Sequence, residues 1–416
     1  QIIGQYGKDG LGFVATVPAY STVSYKLGEA VEVDELTYSD AFAPTDSRNV
    51  TFLAEQSEVP PYYHIETPHF SVYLRKDSGI LTSFVDKREN RELVAYGMRR
   101  AADYFDTARP DLALNVFQIE DEHPHPMSAW HLDEVHTTHS LLRGAETKVI
   151  ESGPARIVFE VTHKVRSSTI IQQIIFYRDL ARVDFIADVD WQEPGNDEVG
   201  VPNLKAAFTA SLMECQAWFE TPFAAVQRPA NGQERPALRW VDMGGADYGV
   251  AVLNDSKHGY DVLGNRVRLT LVRSGYNPDK IADIGQHTIR YSFVPHTGDW
   301  RAADIVRQGI GFNQSLLVNV VSETVAKKTD VWFPWVEGDG NIVPSIFKQT
   351  RKGEGRVLRL YESTGANGSI TISGVPEGSK VFEANILEQP QKELAITEGK
   401  VEVTFTPWQV KTLRIE

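Results

Sequence analysis

Short runs of alternating apolar and polar residues, separated by turn residues, recur along the whole chain. Residues 69–87 (HFSVYLRKDSGILTSFVDK) predict a hairpin, with Asp77-Ser78-Gly79 as the turn between two alternating strands. Residues 155–191 predict three or four long strands. Further strands are predicted at 266–274, 287–296, 357–363, 368–374 and 400–416. This two-residue period is typical of an all-β protein built from antiparallel sheets.

Helical periodicity is sparse: residues 300–314 (WRAADIVRQGIGFNQ) predict one short helix. Strands and helices do not alternate, so a parallel α/β core is excluded. We predict a β segment at 1–55 whose partner strands are missing, a large antiparallel sandwich at 56–325, and a small C-terminal β-sandwich at 330–416. The stretch 323–341 is predicted as a linker.

Composition narrows the classes of partner. The 416 residues are 42% hydrophobic and 24% charged, which is globular, and aromatic residues reach 10%, which suits β packing and sugar binding. A net charge of -14 without a basic stripe excludes nucleic acid and an anionic membrane surface as partners. The single cysteine, Cys215, excludes an intramolecular disulfide and favours a reducing, cytoplasmic location.

A histidine-rich segment, residues 120–139, combines five histidines with five carboxylates. A metal site is one interpretation. Pro124 and Pro126 interrupt regular structure, however, and the segment lacks a helical pair of histidines four residues apart. We therefore favour a solvated or cleft-lining loop and predict no metal ligand there. The histidines are His123, His125, His131, His136 and His139.

Other polar residues follow predicted strands. Arg273 ends one strand and precedes an acidic loop, where it can bind sugar hydroxyls, hold a carboxylate or lie exposed. Trp191 and Trp240 lie at strand ends, as core residues or as platforms for sugar rings. Residues 249–261 (GVAVLNDSKHGYD) read as a strand followed by a polar loop, which the residue types alone leave open as a catalytic centre, a sugar-binding edge or a turn.

Several segments are similar to segments of one known protein family and occur in the same order along the chain as they do there: 79–94, 151–163, 183–193, 239–274, 278–300, 358–363, 384–388 and 405–416. With them the chain resembles the C-terminal, non-catalytic half of glycoside hydrolase family 38 α-mannosidases. The resemblance implies a large galactose-mutarotase-like supersandwich followed by a small sandwich. It also implies an N-terminal catalytic domain as partner and a mannose-containing carbohydrate as substrate, and it allows a homo-oligomer.

The resemblance implies retaining hydrolysis, with an Asp nucleophile, a second acid and a zinc ion that holds the mannose hydroxyls. All of these belong to the missing domain, so we expect no catalytic residue and no metal ligand in this chain. In the family, loops of this half close over the sugar pocket. Ala129 and Trp130 match an Asp-Ala-Trp-Asp run of bacterial members, whereas Ser128 and His131 replace its acids.

Two sets of residues are therefore singled out. The substrate-pocket candidates are Arg273, Asp121, Trp130 and Asp133. The residues expected to hold the loop after 253 in place, through local turn bonds and packing, are Asn254, Asp255, Lys257, Tyr260 and Asp261.

Two alternatives stay open beside the mannosidase interpretation. A mutarotase-like epimerase needs a histidine acid and a carboxylate base in one cleft. His258, His287 and His296 are the candidate acids, and Glu193 and Asp261 are the candidate bases. The second alternative is a carbohydrate-binding or scaffolding module without catalysis.

Overall fold

The computed structural model describes residues 4–7, 10–15, 25, 33–41, 61–94, 112–213, 215–314, 316–317, 334–351, 353 and 355–416. These residues form thirty strands and one helix in two compact units. The first strands of the chain are β1 (Gly4–Gly7), β2 (Gly10–Phe13), β3 (Thr37–Ala41), β4 (Tyr62–Glu66), β5 (Phe70–Arg75), β6 (Leu81–Asp86) and β7 (Arg91–Glu92).

The central strands are β8 (Leu114–Glu122), β9 (Val135–Ser140), β10 (Glu146–Ser152), β11 (Arg156–Val165), β12 (Ser168–Tyr177), β13 (Val183–Trp191), β14 (Val201–Thr209), β15 (Gln216–Thr221), β16 (Ala224–Arg228), β17 (Arg235–Pro236), β18 (Trp240–Gly244), β19 (Tyr248–Asn254), β20 (Gly259–Leu263), β21 (Arg266–Arg273) and β22 (Gly285–Thr297). Helix α1 (Ile305–Asn313) follows them. The last strands are β23 (Trp335–Gly338), β24 (Ile342–Gln349), β25 (Arg356–Glu362), β26 (Gly368–Ser373), β27 (Val381–Ala384), β28 (Pro390–Leu394), β29 (Val401–Phe405) and β30 (Val410–Ile415).

The first unit is built on two antiparallel sheets. One has nine strands in the order β10-β11-β12-β13-β22-β19-β18-β15-β16. The other has eleven strands: nine lie in the order β17-β20-β21-β14-β8-β6-β5-β4-β3, β7 pairs with β6, and β9 pairs with β8. The all-β class and the antiparallel sandwich predicted from the alternating pattern are confirmed; the galactose-mutarotase-like type of the sandwich stays a prediction.

The core of the first unit forms where the apolar faces of the strands meet. In β11 every second residue, Ile157, Phe159 and Val161, is fully buried, as the period of two requires. Rings from both sheets meet in this core: Phe208 of β14 stacks on Phe293 of β22 with 5.2 Å between centroids. Burying such side chains contributes about 1.5–3 kcal/mol each to the free energy of folding.

The predicted hairpin at 69–87 is confirmed as β5 and β6. Its turn depends on Gly79, whose φ of 70° lies in the left-handed region. A Cβ atom there would lie 2.9 Å from the Val161 side chain, so glycine also allows close packing. The Gly79 amide donates to the Arg75 carbonyl and closes the turn.

The predicted helix is confirmed but begins later than expected. Residues 300–304 form a turn in which the Asp299 carboxylate accepts hydrogen bonds from the Arg301 and Ala302 amides. Asp304 has a φ of 52°, which a right-handed helix does not allow, so α1 begins at Ile305.

The second unit contains the terminal strands in two sheets, β23-β26-β29 and β24-β25-β30-β27-β28. Its own core includes Leu358, Ile370, Val403 and Leu413. The small C-terminal β-sandwich is thereby confirmed as a fold. The predicted boundaries near 55, 325 and 330, and residues 323–333 of the predicted linker, lie outside the described residues. The remaining part of that linker, 334–341, contains β23.

Two further points follow from burial and length. Trp191 and Trp240 are fully buried, which decides for the core interpretation and against sugar platforms. Across the described part of the chain, no helix has the length and apolar character needed to cross a membrane.

Candidate functional site

Arg273, the last residue of β21, joins the end of β8 to the loop that follows it. Its Nε and Nη2 atoms donate to the two carboxylate oxygens of Glu122 at 2.6 and 2.7 Å. Its Nη1 donates to the Ser128 carbonyl at 2.6 Å, and Nη2 also donates to the His131 carbonyl at 2.8 Å. All three guanidinium nitrogens are thus occupied, in the bidentate geometry that a planar guanidinium favours.

Residues 123–134 form a loop that is anchored at several points. The buried Ser128 hydroxyl accepts hydrogen bonds from the Tyr276 and Asn277 amides at 3.0 and 2.9 Å. The Asn277 side chain donates to the Pro126 carbonyl at 2.6 Å. At the far end, the Asp133 amide donates to Glu122 Oε2 at 3.0 Å. The loop is therefore held by side chains from its beginning to its end.

Two further loops, residues 195–200 and residues 274–284, are joined to each other. The Tyr276 hydroxyl donates to Asp197 Oδ1 at 2.9 Å. Gly200 has a φ of 82°, and a Cβ atom there would collide with the Glu122 carbonyl. A Cβ atom at Gly195 would collide with the Ser274 carbonyl. We call residues 123–134, 195–200 and 274–284 the three-loop rim.

The rim exposes large apolar side chains although its backbone is well bonded. The exposed fraction is 46% for Met127, 62% for Trp130, 50% for Leu132, 45% for Val199 and 69% for Ile281. Of these five residues only Trp130 belongs to a recognised sequence run; the other four are isolated apolar residues in polar loops, which give no periodic signal.

Asp121 lies on β8 beside Glu122 but has different partners. Its oxygens accept a bidentate pair from Arg166 at 2.9 and 2.6 Å and a hydrogen bond from the Thr137 hydroxyl at 2.7 Å. Burial by itself raises the pKa of this carboxyl, but the bonds from Arg166 and Thr137 outweigh burial and hold the pKa below its usual value. Asp121 is a paired carboxylate.

The four pocket candidates are thus placed as follows. Arg273 and the Asp133 amide both bind the Glu122 carboxylate. Trp130 lies in the same loop as Asp133, residues 123–134. The Asp133 side chain is exposed, and its Oδ1 accepts a hydrogen bond from the Glu134 amide. Asp121 is bonded to Arg166. Their substrate contact stays a prediction.

The loop after β19 is held largely as expected. Asn254 is buried, its Oδ1 accepts from the Lys257 amide at 2.8 Å, and its Nδ2 donates to the Tyr260 hydroxyl at 2.8 Å. The Asp255 amide donates to the Arg290 carbonyl, and its carboxylate accepts from the neighbouring Ser256 hydroxyl. Burial lowers the pKa of the half-buried Lys257.

Asp261 contacts neighbouring strands, whereas we expected it to hold the loop. It accepts from Lys205 Nζ at 2.9 Å and from Arg268 Nε at 2.9 Å. Glu120 binds Arg268, and Glu234 binds Lys205 at 2.6 Å. We call these five residues the buried charge cluster. Burial raises the pKa of Asp261, but the two cations outweigh it and lower the pKa overall.

The sequence contained a partial signal for this cluster. Charged residues at 120, 205, 261 and 268 lie in strands beside apolar residues. Such charges are rarely buried unless paired. Their pairing could not be inferred, because Arg268 and Glu120 are 148 residues apart in the chain.

The histidine-rich segment places its rings in different surroundings. The rings of His123 and His136 stack with 4.8 Å between centroids, and His125 Nε2 lies 4.0 Å from Glu122. His131 and His139 are exposed. Among the described residues, no group of three or more His, Cys, Asp or Glu side chains is arranged to hold a metal ion.

The histidines considered for epimerase chemistry contact groups other than the candidate bases. His258 Nδ1 lies 3.1 Å from two backbone carbonyls, His287 Nε2 lies 2.7 Å from a third, and His296 Nε2 lies 2.6 Å from Asp242. In the described ranges no hydrogen bond or ion pair joins these histidines to the candidate bases, Glu193 and Asp261.

The second unit contains a separate open cleft of about 590 Å³. Most of its side chains are polar, with one acidic and one basic group. The lining residues are Asp339, Asn367, Gly368, Ser369, Thr404, Phe405, Thr406, Gln409 and Lys411. No sequence pattern marks them, since they come from β26, β29, β30 and adjoining turns, which lie at separate places in the chain.

Two family models match this chain. The model described as glycosyl hydrolases family 38 C-terminal domain matches residues 65–280, which is more than half of the chain. The model described as glycosyl hydrolases family 38 C-terminal beta sandwich domain matches residues 341–413. The matches follow one another along the chain, the first in the two-sheet unit and the second in the terminal unit.

Relatives and solved structures agree with these matches. The chain is 28% identical to alpha-mannosidase G of Dictyostelium discoideum over 293 residues, or 66% of this chain and 26% of that protein. It is 27% identical to alpha-mannosidase 2C1 of Mus musculus over 447 aligned residues, or 99% of this chain and 40% of that protein. The chain thus spans less than half the length of these relatives.

A crystal structure of a glycosyl hydrolase family 38 protein from Enterococcus faecalis has the same fold, with a TM-score of 0.68 and 12% identity over 100% of this chain and 50% of that one. An alpha-mannosidase structure from Enterococcus faecalis gives a TM-score of 0.64 and 13% identity over 85% of this chain and 42% of that one. From the first family model, which covers more than half of its residues, this chain belongs to glycosyl hydrolase family 38.

Proposed function

We propose that this chain is the β-sandwich portion of an α-mannosidase, and that it packs against a catalytic portion and closes the sugar pocket. The observation that carries the proposal is the pair of family 38 C-terminal matches, in order, over residues 65–280 and 341–413. The names of the relatives, alpha-mannosidase G and alpha-mannosidase 2C1, supply the reaction.

The proposed reaction is retaining hydrolysis of an α-mannoside through two carboxyl groups. The nucleophile, the acid and the zinc ion are assigned to the catalytic portion, as the resemblance to the family implies. Zinc, when bound there, would stabilise developing charge on the sugar. This chain would contribute the three-loop rim, in which Arg273 fixes the loop that carries Trp130.

The test is an assay of the whole protein that contains this chain, beside the 416-residue chain alone, on an aryl α-mannoside and an aryl β-mannoside. We expect the whole protein to hydrolyse only the α-anomer, to lose activity with a chelator and to release α-mannose first, as proton NMR would show. We expect the chain alone to be inactive. Chelator-sensitive turnover by the chain alone, or none by the whole protein, would refute the proposal.

A second candidate function is carbohydrate binding by the terminal unit. The cleft of about 590 Å³ supports it, because amide, hydroxyl and charged side chains line a volume of the size that small ligands occupy. Calorimetric titration of the chain with mannose and mannobiose tests it, with Asn367→Ala as the variant. Binding that the variant weakens supports a binding module, and no heat at millimolar sugar excludes one.

A cytoplasmic location is part of the proposal. The only cysteine, Cys215, is half-buried, and burial raises the pKa of its thiol to about 11. A thiol that stays protonated at neutral pH reacts slowly, which suits a structural residue in a reducing compartment.

A further inference from the structure

The Lys257 amine is partly removed from solvent but has no partner. Among the described residues, no hydrogen bond or ion pair reaches its side chain, which is half-buried. Three other lysines are neutralised: Lys76, Lys148 and Lys411 pair with carboxylates at 2.7, 2.8 and 2.9 Å. Because burial without a partner disfavours a charge, the surroundings of Lys257 favour its neutral amine.

The pKa of Lys257 agrees with this geometry. Burial lowers the pKa more than the negative charges of Asp283 and Asp255 raise it. An ordinary lysine, with a pKa of about 10.4, keeps about one amine in 2,500 neutral at pH 7, and each pKa unit below that value raises this fraction about tenfold. Only the neutral amine has the lone pair that attacks an electrophile, so a desolvated lysine is the more reactive one.

The loop that carries Lys257 is held at several points. The Lys257 amide donates to Asn254 Oδ1 at 2.8 Å, and the Asn254 carbonyl accepts from the Asn313 side chain of α1 at 2.8 Å. The next residue is held as well, because His258 Nδ1 lies 3.1 Å from the Ala237 carbonyl. The amine therefore keeps one set of neighbours, and its reactivity is a property of the folded chain.

We propose that Lys257 is a modification site for neutral aldehydes, including the open-chain form of aldoses, with which its amine forms a Schiff base. The amine nitrogen attacks the carbonyl carbon, and a carbon–nitrogen bond forms. Both amine protons end on the carbonyl oxygen, which leaves as water while that bond becomes double. One proton from solvent converts the imine into an iminium ion, and no oxidant or reductant is needed. The mannose of the proposed reaction belongs to this class, but the inference does not depend on that reaction.

The charges around Lys257 favour a neutral aldehyde over other reagents that modify amines. Asp283 is exposed, and Asp255 lies 3.7 Å from Arg290, so the negative charge near the amine is only partly offset. An iminium ion keeps the positive charge that these carboxylates stabilise, whereas acylation removes it. A carbamate formed with carbon dioxide would add a negative charge, and anionic reagents such as acyl phosphates are repelled. The site therefore stabilises the iminium product best.

The experiment labels the 416-residue chain at pH 7.5 with D-glyceraldehyde and sodium cyanoborohydride, which reduces the iminium ion to a stable secondary amine. Labelling is kept below one adduct per chain, and peptide mass spectrometry locates the adducts. Lys257 should carry several-fold more adduct than the exposed Lys148, because the hydrogen bond from Lys148 to Glu160 raises the pKa of that amine. Lys257→Arg should remove most of the adduct, and the matched control Lys148→Arg should leave it unchanged.

Two further samples complete the test. Glyceraldehyde 3-phosphate, an anionic aldehyde, should label Lys257 several-fold less selectively, and unfolding in guanidinium chloride should make all lysines react equally. More adduct on Lys148 than on Lys257 in the folded chain overturns the proposal, and this measurement needs no variant to fold. Equal selectivity of the two aldehydes overturns the preference for neutral ones, and a Lys257 preference that persists in the unfolded chain overturns its structural basis. None of these outcomes depends on the mannosidase assay.

Discussion

A buried histidine should make the first unit sensitive to mild acid. His163 lies on β11 within the core, with its ring edge-on to Phe117 at 5.4 Å between centroids. Burial lowers the pKa of its imidazole to about 4 in the folded state. The unfolded chain keeps a pKa of about 6.5.

The sign and size follow from these two values. Between pH 6.5 and pH 4 the unfolded chain binds a proton that the folded chain does not, so stability falls as the pH falls through this window. Each pKa unit corresponds to about 1.4 kcal/mol, and the loss reaches about 3 kcal/mol near pH 4. Above pH 7 both states are neutral at this residue, and the penalty is absent.

The assay is urea unfolding of the chain and of His163→Leu from pH 7.5 to pH 4, followed by the fluorescence of the buried tryptophans. We expect the variant to gain about 3 kcal/mol relative to the parent chain across this range. The same substitution at the exposed His139 is the matched control for the loss of a histidine. A difference between parent and His163→Leu that does not change with pH would refute the argument that burial keeps His163 neutral.

Three further changes test other parts of the fold. Lys205→Met removes a cation from the buried charge cluster and should cost about 3–5 kcal/mol of unfolding free energy, as urea unfolding would measure, because Glu234 loses its cation and Asp261 keeps only Arg268. Tyr248→Phe removes a 2.7 Å hydrogen bond to the buried Asp86 carboxylate and should cost about 1.5–3 kcal/mol by the same measurement. Glu362→Gln should destabilise only the second unit, because the Glu362 carboxylate accepts hydrogen bonds from three backbone amides. Burial raises the pKa of this carboxyl, but its hydrogen bonds lower the pKa overall, so their stabilisation is lost as the pH falls through the folded pKa. Domain-resolved hydrogen exchange would measure both effects.

The Lys205→Met and Glu362→Gln predictions can each be contradicted. Lys148→Met removes a surface lysine from an ion pair with Glu160 and should leave stability nearly unchanged. An equal loss of unfolding free energy in Lys148→Met and Lys205→Met would show that the loss comes from removing one positive charge and not from the buried charge cluster. Unfolding of both units together in Glu362→Gln would contradict the local role of its carboxylate.

Much of the fold was accessible from the sequence because its signals are local. Alternation in 155–191 predicted β11, β12 and β13, and the Asp77-Ser78-Gly79 turn predicted the β5–β6 hairpin. A strand's alternating pattern records which residues face a core, whatever strands lie beside it. The helix was located from its periodicity, but its first residue depended on the left-handed backbone of Asp304.

The candidate site was only partly accessible. Arg273 and Trp130 were selected as substrate-pocket candidates, but the sequence did not show that the Arg273 guanidinium binds Glu122 and carbonyls of the Trp130 loop. Asp261 was expected to hold a neighbouring turn, and its carboxylate instead pairs with Lys205 and Arg268. In both cases the residue type drew attention to the position, but the sequence did not show which residue it contacts.

The sequence by itself determined the antiparallel all-β class, the turns between neighbouring strands and the family resemblance, because each is encoded in residues that are close in the chain. Only the tertiary structure decided which strands are neighbours, and therefore which charges meet. Arg273 and Glu122 are 151 residues apart, and Arg268 and Glu120 are 148 apart. Such pairs exist only after β8, β14 and β21 take adjacent places in one sheet, since sheet order and register join side chains that no local pattern relates.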